Sequence, residues 1–287
     1  MRKPAPRLRR GVIILPSAFT LGNLFFGFWA LVEALRGDFA TAAWLVVGAG
    51  VCDMLDGRVA RFTRTGSEFG EELDSLVDAV SFGVAPALII YFLYLGDGEG
   101  WSWTVAFLYV AATVIRLARF NVEQSGHAKV AFHGLPSPVA GTALATFYPF
   151  SQTDFFQSYL ANFNWSQGTA GMTLAFSLLM VSHVLYPAAP RFNLRTQGGI
   201  ITLVGAGVAV VALFTVPALF VFPALICYIG YGLARTAVLG LLERLPERDP
   251  LLDEEPEEGE TRELEYEEME PPRRGWRKRV MPFRRWS

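Results

Sequence analysis

Long apolar runs recur from Ile13 to Leu241, and they limit the possible folds more than any other feature. A helix that crosses a bilayer needs about 20 mainly apolar residues, because each residue advances ~1.5 Å through a hydrocarbon core ~30 Å thick. Eight runs reach or approach that length: Ile13–Leu35, Ala40–Phe62, Leu73–Leu95, Trp101–Phe120, Ser137–Phe150, Gly168–Tyr186, Gly199–Thr215 and Pro217–Leu241. In lipid the backbone must satisfy its own polar groups, and apolar runs this long do so as helices. The expected fold is all-α, a polytopic membrane helix bundle of about eight transmembrane helices. The fifth run is short, the seventh is Gly-rich, and Pro217 divides the last two.

Charge patterning sets the orientation. The chain is 52% hydrophobic and only 18% charged, and the charges gather at its ends. With eight spans, one side holds the N-terminus, the 63–72 turn, the 121–136 and 188–198 loops and the C-terminus. Of 25 Lys and Arg, only Arg36 falls near the other side, which carries Asp38, Asp97, Glu99 and Asp154. Cytoplasmic loops are the basic ones, so both termini are expected in the cytoplasm of a multi-pass cell (inner) membrane protein. Six spans would give the ends the same bias. The basic N-terminus is not read as a signal peptide, since no small-residue cleavage pattern closes the following run, which is long enough to span.

Three segments are expected: a basic cytoplasmic N-terminus (1–12), a transmembrane catalytic domain (13–242) and a cytoplasmic tail (243–287). The tail is acidic from Asp253 to Glu270, with the composition of a disordered segment. It then turns basic, with Trp276, Phe283 and Trp286 among arginines. The plain reading of that end is a solvated tail; the sharper one is a segment lying on the anionic inner leaflet. A net charge of −2 offers nothing to nucleic acid. Cys52 and Cys227, both in apolar runs, suggest neither a disulfide framework nor a zinc site.

Ionisable residues inside spans are costly and so mark function. Asp53 and Asp56 are three apart and share a face near the cytoplasmic end of the second run. Asp74 and Asp78 are four apart and share a face near the start of the third. The short turn between the runs folds them into a hairpin, so the two pairs can meet at one depth. Four converging carboxylates repel unless they hold protons or cations. Oxygen-only donors favour hard ions such as Mg²⁺, Mn²⁺ or Ca²⁺. Two such ions in one cage can clamp a diphosphate.

Neighbouring residues suit that use. Gly57, Ala60 and Gly70 are small enough for close helix packing or for a nucleotide to approach the backbone. Arg58, Arg61 and Arg64 follow where phosphate charge would sit. The plainer reading of Arg58 and Arg64 is as positive-inside anchors.

The whole run, Asp53-x2-Asp56-Gly57-x2-Ala60-Arg61-x8-Gly70-x3-Asp74-x3-Asp78, matches every fixed position of the CDP-alcohol phosphotransferase signature. The resemblance covers about Pro16 to Pro138. Within that family the chain is most similar to the membrane-integral phosphatidylserine synthases, on Glu71–Pro86 (EELDSLVDAVSFGVAP), Arg116–Asn121 (RLARFN) and Phe132–Pro138 (FHGLPSP). Pro16-x3-Thr20-x2-Asn23 also resembles the family's approach to its first helix. The acidic–basic tail lies outside the family pattern.

The resemblance implies the family's fold and chemistry. Asp53, Asp56 and Asp74 would hold one metal ion and Asp53, Asp74 and Asp78 a second, either Mg²⁺ or Mn²⁺, with Asp78 also the general base. Gly57, Ala60 and Gly70 would line the cytidine site, with Arg61 near it and Asn23 among the substrate-binding residues. The substrates would be CDP-diacylglycerol and L-serine, and the protein a homodimer among membrane lipids. Serine's carboxylate needs a cation, which Arg116 and Arg119, followed by Asn121, could supply, gripping either that carboxylate or the lipid-linked phosphate. The alternative for these arginines is an ordinary interfacial role. Gly134, Pro136, Ser137 and Pro138 make a stiff loop, read as a wall of the acceptor site or simply as a helix start. His133 and His183 are expected to be structural, and Ser81 could face the site one turn beyond Asp78.

One close alternative and one reading of another class remain open at this level. A sister transferase would use glycerol phosphate, inositol phosphate or choline as acceptor. A cation transporter would also bury acids, but it would line a path through the bilayer rather than gather them at one level. A non-catalytic membrane anchor would not keep four aspartates in costly positions.

Overall fold

The computed structural model describes residues 8–63, 68–96, 102–125, 134–182, 184, 186, 205, 207–209 and 211–242. The chain divides into two compact units, Met1–Gly240 and Leu241–Ser287, and only Leu241 and Leu242 of the second are among the described residues. The described residues contain helices and no strand. In order they are α1 (Leu8–Leu35), α2 (Phe39–Thr63), α3 (Glu68–Asp78), a π segment (Ala79–Val84), α4 (Ala85–Ile90), a second π segment (Tyr91–Leu95), α5 (Trp103–Ser125), α6 (Ser137–Ser151), α7 (Asp154–Tyr159), α8 (Trp165–Val181) and α9 (Pro217–Leu242).

The α1–α2 connection follows from local chemistry. Gly37 adopts φ +82°, a left-handed conformation that glycine enters without steric penalty. Its N–H donates to Ala34 O (3.1 Å) and the Asp38 N–H to Glu33 O (3.0 Å), which is the Schellman closure of a helix C-terminus. Asp38 then caps α2 by accepting the Thr41 N–H at 3.0 Å. Three residues thus end one helix and start the next, and the pair packs as a hairpin.

The hairpin is held by small residues. Ala30, Ala34, Ala42, Ala43 and Ala49 are buried against Phe82, Ala85, Ile89 and Ala145. In lipid, association rests on close van der Waals packing, which small side chains permit. The other face of α1 points outward: Leu21, Phe25 and Phe28 are 55%, 60% and 62% exposed, as expected for side chains that meet acyl tails.

The third helical rod, residues 68–95, is not a uniform α-helix. It switches to π geometry directly after Asp78, and such segments often accompany functional positions. Pro86 has no N–H to offer the Phe82 carbonyl four residues earlier; the Tyr109 hydroxyl donates to that carbonyl at 2.9 Å. α6 crosses here at close range: a Cβ on Gly141 would stand 2.7 Å from Phe82 O. A second core joins α5, α6 and α8 through Tyr109, Leu144 and Met180. An aromatic cluster of Phe147, Phe150, Phe156, Trp165 and Phe222 closes the far end.

Five described helices are long and apolar enough to cross a membrane: Ala18–Leu35, Phe39–Val59, Phe69–Leu95, Trp103–Val122 and Pro217–Val238. α6 and α8, with 15 and 17 residues, reach about 22 and 26 Å at 1.5 Å per residue. The described residues of the seventh run (205, 207–209 and 211–215) are helical.

Several boundaries differ from the expected runs. α1 begins at Leu8, within the basic N-terminal segment. The third rod begins at Glu68 rather than Leu73, because its first turns are amphipathic, with Glu71 and Glu72 exposed. α8 ends at Val181, before Tyr186, where Leu135 N–H takes the Leu179 carbonyl at 3.0 Å. α7 is an additional short helix, capped by the Thr153 side chain on the Phe156 N–H.

Candidate metal centre and acceptor site

The second and third rods bring their aspartates together as the Asp spacing requires. Asp53 from α2 and Asp74 and Asp78 from α3 each present a carboxylate oxygen, and the three atoms lie within 4.8 Å of one another. At that distance two full charges repel by roughly 3 kcal/mol in an effective dielectric of about 20. Only a proton or a cation relieves such a cluster. Asp74 Oδ1 is buried with no hydrogen-bond partner, an arrangement that is costly unless something binds it. Oxygen-only donors at bridging distance, with one orphaned acceptor, fit a hard divalent cation.

Asp56 stands apart from this trio. It is buried, and its Oδ2 accepts a hydrogen bond from the Thr20 hydroxyl of α1. Three residues further along the same face, Asn23 is fully buried and its Nδ2 donates to Asp78 Oδ1 at 3.0 Å. Asn23 is itself tied to the rod, since Ser81 Oγ donates to its carbonyl at 3.2 Å. Gly27 makes room for that contact, because a Cβ there would overlap Ser81. Ser81 therefore supports Asn23 from one turn beyond Asp78. Cys52 lies against α1, its Sγ 3.4 Å from where a Cβ on Gly22 would be.

The acceptor-side candidates divide into two groups. Arg116 lies within electrostatic reach of Asp53 and Asp78. Its Nη1 donates to Ser137 Oγ at 2.7 Å, and its guanidinium sits 5.4 Å from the Phe120 ring centroid, a cation–π geometry. Ser137 is fully buried at the start of α6. Arg119 turns instead to the end of α8, donating to Val181 O (3.0 Å) and Ser182 O (3.3 Å). Asn121 links α5 to α3, accepting from Ser75 Oγ at 3.0 Å and donating to Glu72 Oε2 at 3.1 Å.

The loop before α6 is pinned to the same helix end. Gly134 has φ +84°, and a Cβ there would meet the Met180 carbonyl. Its N–H donates to Val184 O at 2.9 Å. Pro136, extended at φ −60° and ψ 133°, leads straight into Ser137. The stiffness expected of this loop thus has a visible cause: both ends of the short stretch are tied down.

Of the residues expected to border a cytidine, Gly57 is exposed and Gly70 is half-buried early in α3, and Arg58 beside Gly57 is exposed. Ala60 and Arg61 lie in the last turns of α2, with side chains outside the described set. Arg64, His133 and His183 fall outside the described residues. Thr20, Tyr109 and Gly141 carry no charge or catalytic motif, and only Thr20 enters a recognisable pattern, with no role attached to it.

A family model described as CDP-alcohol phosphatidyltransferase matches residues 13–186. A CDP-diacylglycerol–serine O-phosphatidyltransferase of Helicobacter pylori (strain J99) is 35% identical over 223 residues, covering 77% of this chain and 90% of that protein. The enzyme of the same name from Mycobacterium bovis is 41% identical over 146 residues, 48% of this chain and 51% of its own length. An archaetidylserine synthase of Methanothermobacter thermautotrophicus is 35% identical over 188 residues, 64% of this chain and 74% of that protein. Matched over more than half of its length, the chain belongs to the family of CDP-alcohol phosphatidyltransferases.

Proposed function

We propose that the chain transfers the phosphatidyl group of CDP-diacylglycerol to L-serine, giving phosphatidylserine and CMP. The observation that carries this reading is the meeting of Asp53, Asp74 and Asp78 within 4.8 Å, at the family's signature spacing. The serine acceptor is supported by the names of relatives that align along most of the chain.

The serine hydroxyl oxygen forms a bond to the diacylglycerol-bearing phosphorus, and the bond from that phosphorus to the CMP oxygen breaks. Asp53, Asp56 and Asp74 would hold one divalent ion, and Asp53, Asp74 and Asp78 a second, with Mg²⁺ or Mn²⁺ the ions of choice. When bound, such ions neutralise diphosphate charge and favour departure of the leaving oxygen. Asp78 receives the hydroxyl proton, with Asn23 fixing one of its oxygens. Arg116, steadied by Ser137 and Phe120, takes the serine carboxylate or the lipid-linked phosphate. Gly57, Ala60, Arg61 and Gly70 border the cytidine. The protein is a multi-pass inner-membrane homodimer of about eight spans, with both termini and the 243–287 tail in the cytoplasm.

Purified protein given CDP-diacylglycerol, Mn²⁺ and radiolabelled acceptors tests this. Labelled phosphatidylserine and stoichiometric CMP are expected. Product from glycerol phosphate, inositol phosphate or choline, with none from serine, would move the chain to a sister activity.

A further inference from the structure

The first helix contributes none of the four signature aspartates, yet it touches two of them. Thr20 and Asn23, three residues apart on one face, each hold a different carboxylate: the Thr20 hydroxyl bonds Asp56 Oδ2 and the Asn23 amide bonds Asp78 Oδ1. In the proposed ligand sets, Asp56 serves only the first ion and Asp78 only the second, while Asp53 and Asp74 serve both. We infer that α1 is the outer shell of the metal centre, with Thr20 a positioning residue for one ion and Asn23 for the other. The inference rests on the metal-dependent reading given above.

Three further observations support it. Both residues are buried, Thr20 at 3% and Asn23 at 0% exposure, so each lies where an unused polar group would be costly. Asn23 Oδ1 is buried without a partner, so its amide has an acceptor to spare for a water on the ion. The Asn23 backbone is also tied to the third rod, because its main-chain carbonyl accepts from Ser81 Oγ at 3.2 Å and Gly27 lets that rod approach. A residue that merely filled space would need none of this. Outer-shell partners orient ligating carboxylates, and their loss typically weakens metal binding by 10- to 100-fold.

The test is Mn²⁺ uptake by the full chain in detergent, read from the EPR signal of free Mn²⁺ without substrates. Thr20→Val and Asn23→Leu should each weaken one of two sites about 10- to 100-fold, and Thr20→Ser should restore binding. The deciding measurement is the double variant. Asn23→Leu should add nothing in an Asp78→Asn background, and Thr20→Val nothing in Asp56→Asn. Effects that persist in those backgrounds, or that strike both sites equally, would mean a general packing role and overturn the inference. So would unchanged affinity in monodisperse Thr20→Val and Asn23→Leu proteins. Failure of the metal reading itself looks different: the unmodified chain would take up no more Mn²⁺ than Asp53→Asn.

Discussion

Arg116 Nη1 donates to Ser137 Oγ across 2.7 Å, tying α5 to the first residue of α6. A guanidinium carries five donors, so one bond to Ser137 leaves capacity for a substrate carboxylate. A hydrogen bond to a charged group contributes about 1.5–3 kcal/mol. Ser137→Ala is therefore expected to raise the serine KM by about tenfold, with kcat much less changed. Arg116→Lys should raise it further, because an ammonium cannot reproduce the planar fork. Steady-state kinetics in both substrates check this. If KM for CDP-diacylglycerol rises and that for serine does not, Arg116 binds the lipid phosphate.

Tyr109 and Pro86 form a second testable pair. The Tyr109 hydroxyl bonds the Phe82 carbonyl that Pro86 cannot serve. Tyr109→Phe leaves a buried acceptor without that donor, expected to cost about 1–3 kcal/mol. Pro86→Ala restores an N–H and should recover part of the loss in the double variant. Thermal unfolding in detergent measures both, and a double variant no better than Tyr109→Phe would rule out this pairing as the reason.

The hairpin, its aspartates and the loop before α6 were legible because each has a signature in residue type and spacing. Apolar length marks a span, i to i+4 places Asp74 and Asp78 on one face, and Gly-x-Pro marks a tied loop. The partners of those aspartates showed only as a pattern: Pro16-x3-Thr20-x2-Asn23 resembles the family's first helix and put Asn23 among the substrate-binding residues, but nothing paired either residue with an aspartate. An apolar run does not say which carboxylate a hydroxyl or an amide will meet; the bonds of Thr20 to Asp56 and of Asn23 to Asp78 arise only when α1 packs on the neighbouring rods. The π segment after Asp78 was equally hidden, as were the contacts that Tyr109 and Gly141 make with Phe82 from two other helices. Arg119 shows the opposite case. Its charge and spacing suggested an anion site, but folding turns it to the carbonyls that end α8.

Asp38 gives a pH-dependent prediction outside the spans. The Thr41 N–H, bonded to its carboxylate, holds its pKa below the ordinary value of 3.8. A depressed folded pKa means the stabilisation is present above the unfolded value and is lost as pH falls through the folded one. Asp38→Ala should melt earlier than the unmodified chain at pH 7, with the gap shrinking as pH drops below about 4. Asp38→Asn keeps an acceptor for the cap and should show a smaller gap at pH 7, which closes over the same acid range because only the unmodified chain titrates there. Melting curves across pH 3–7 decide; a gap that widens toward acid would contradict the assignment.

The trio of carboxylates makes opposite predictions with and without metal. Asp53, Asp74 and Asp78 hold oxygens within 4.8 Å, so without a cation they strain the fold, by roughly 3 kcal/mol per charged pair. Asp74→Asn removes one charge and should raise the melting temperature in chelator. Added Mn²⁺ should stabilise the unmodified chain through mass action and should barely move the variant. Turnover should follow the second effect: chelation abolishes CMP release, Mn²⁺ or Mg²⁺ restores it, and Asp74→Asn loses about 10³-fold. Asp56→Asn should lose less, because Asp56 stands outside the trio on its Thr20 bond. An Asp74→Asn protein that is less stable in chelator yet fully active would remove the basis for a shared metal centre.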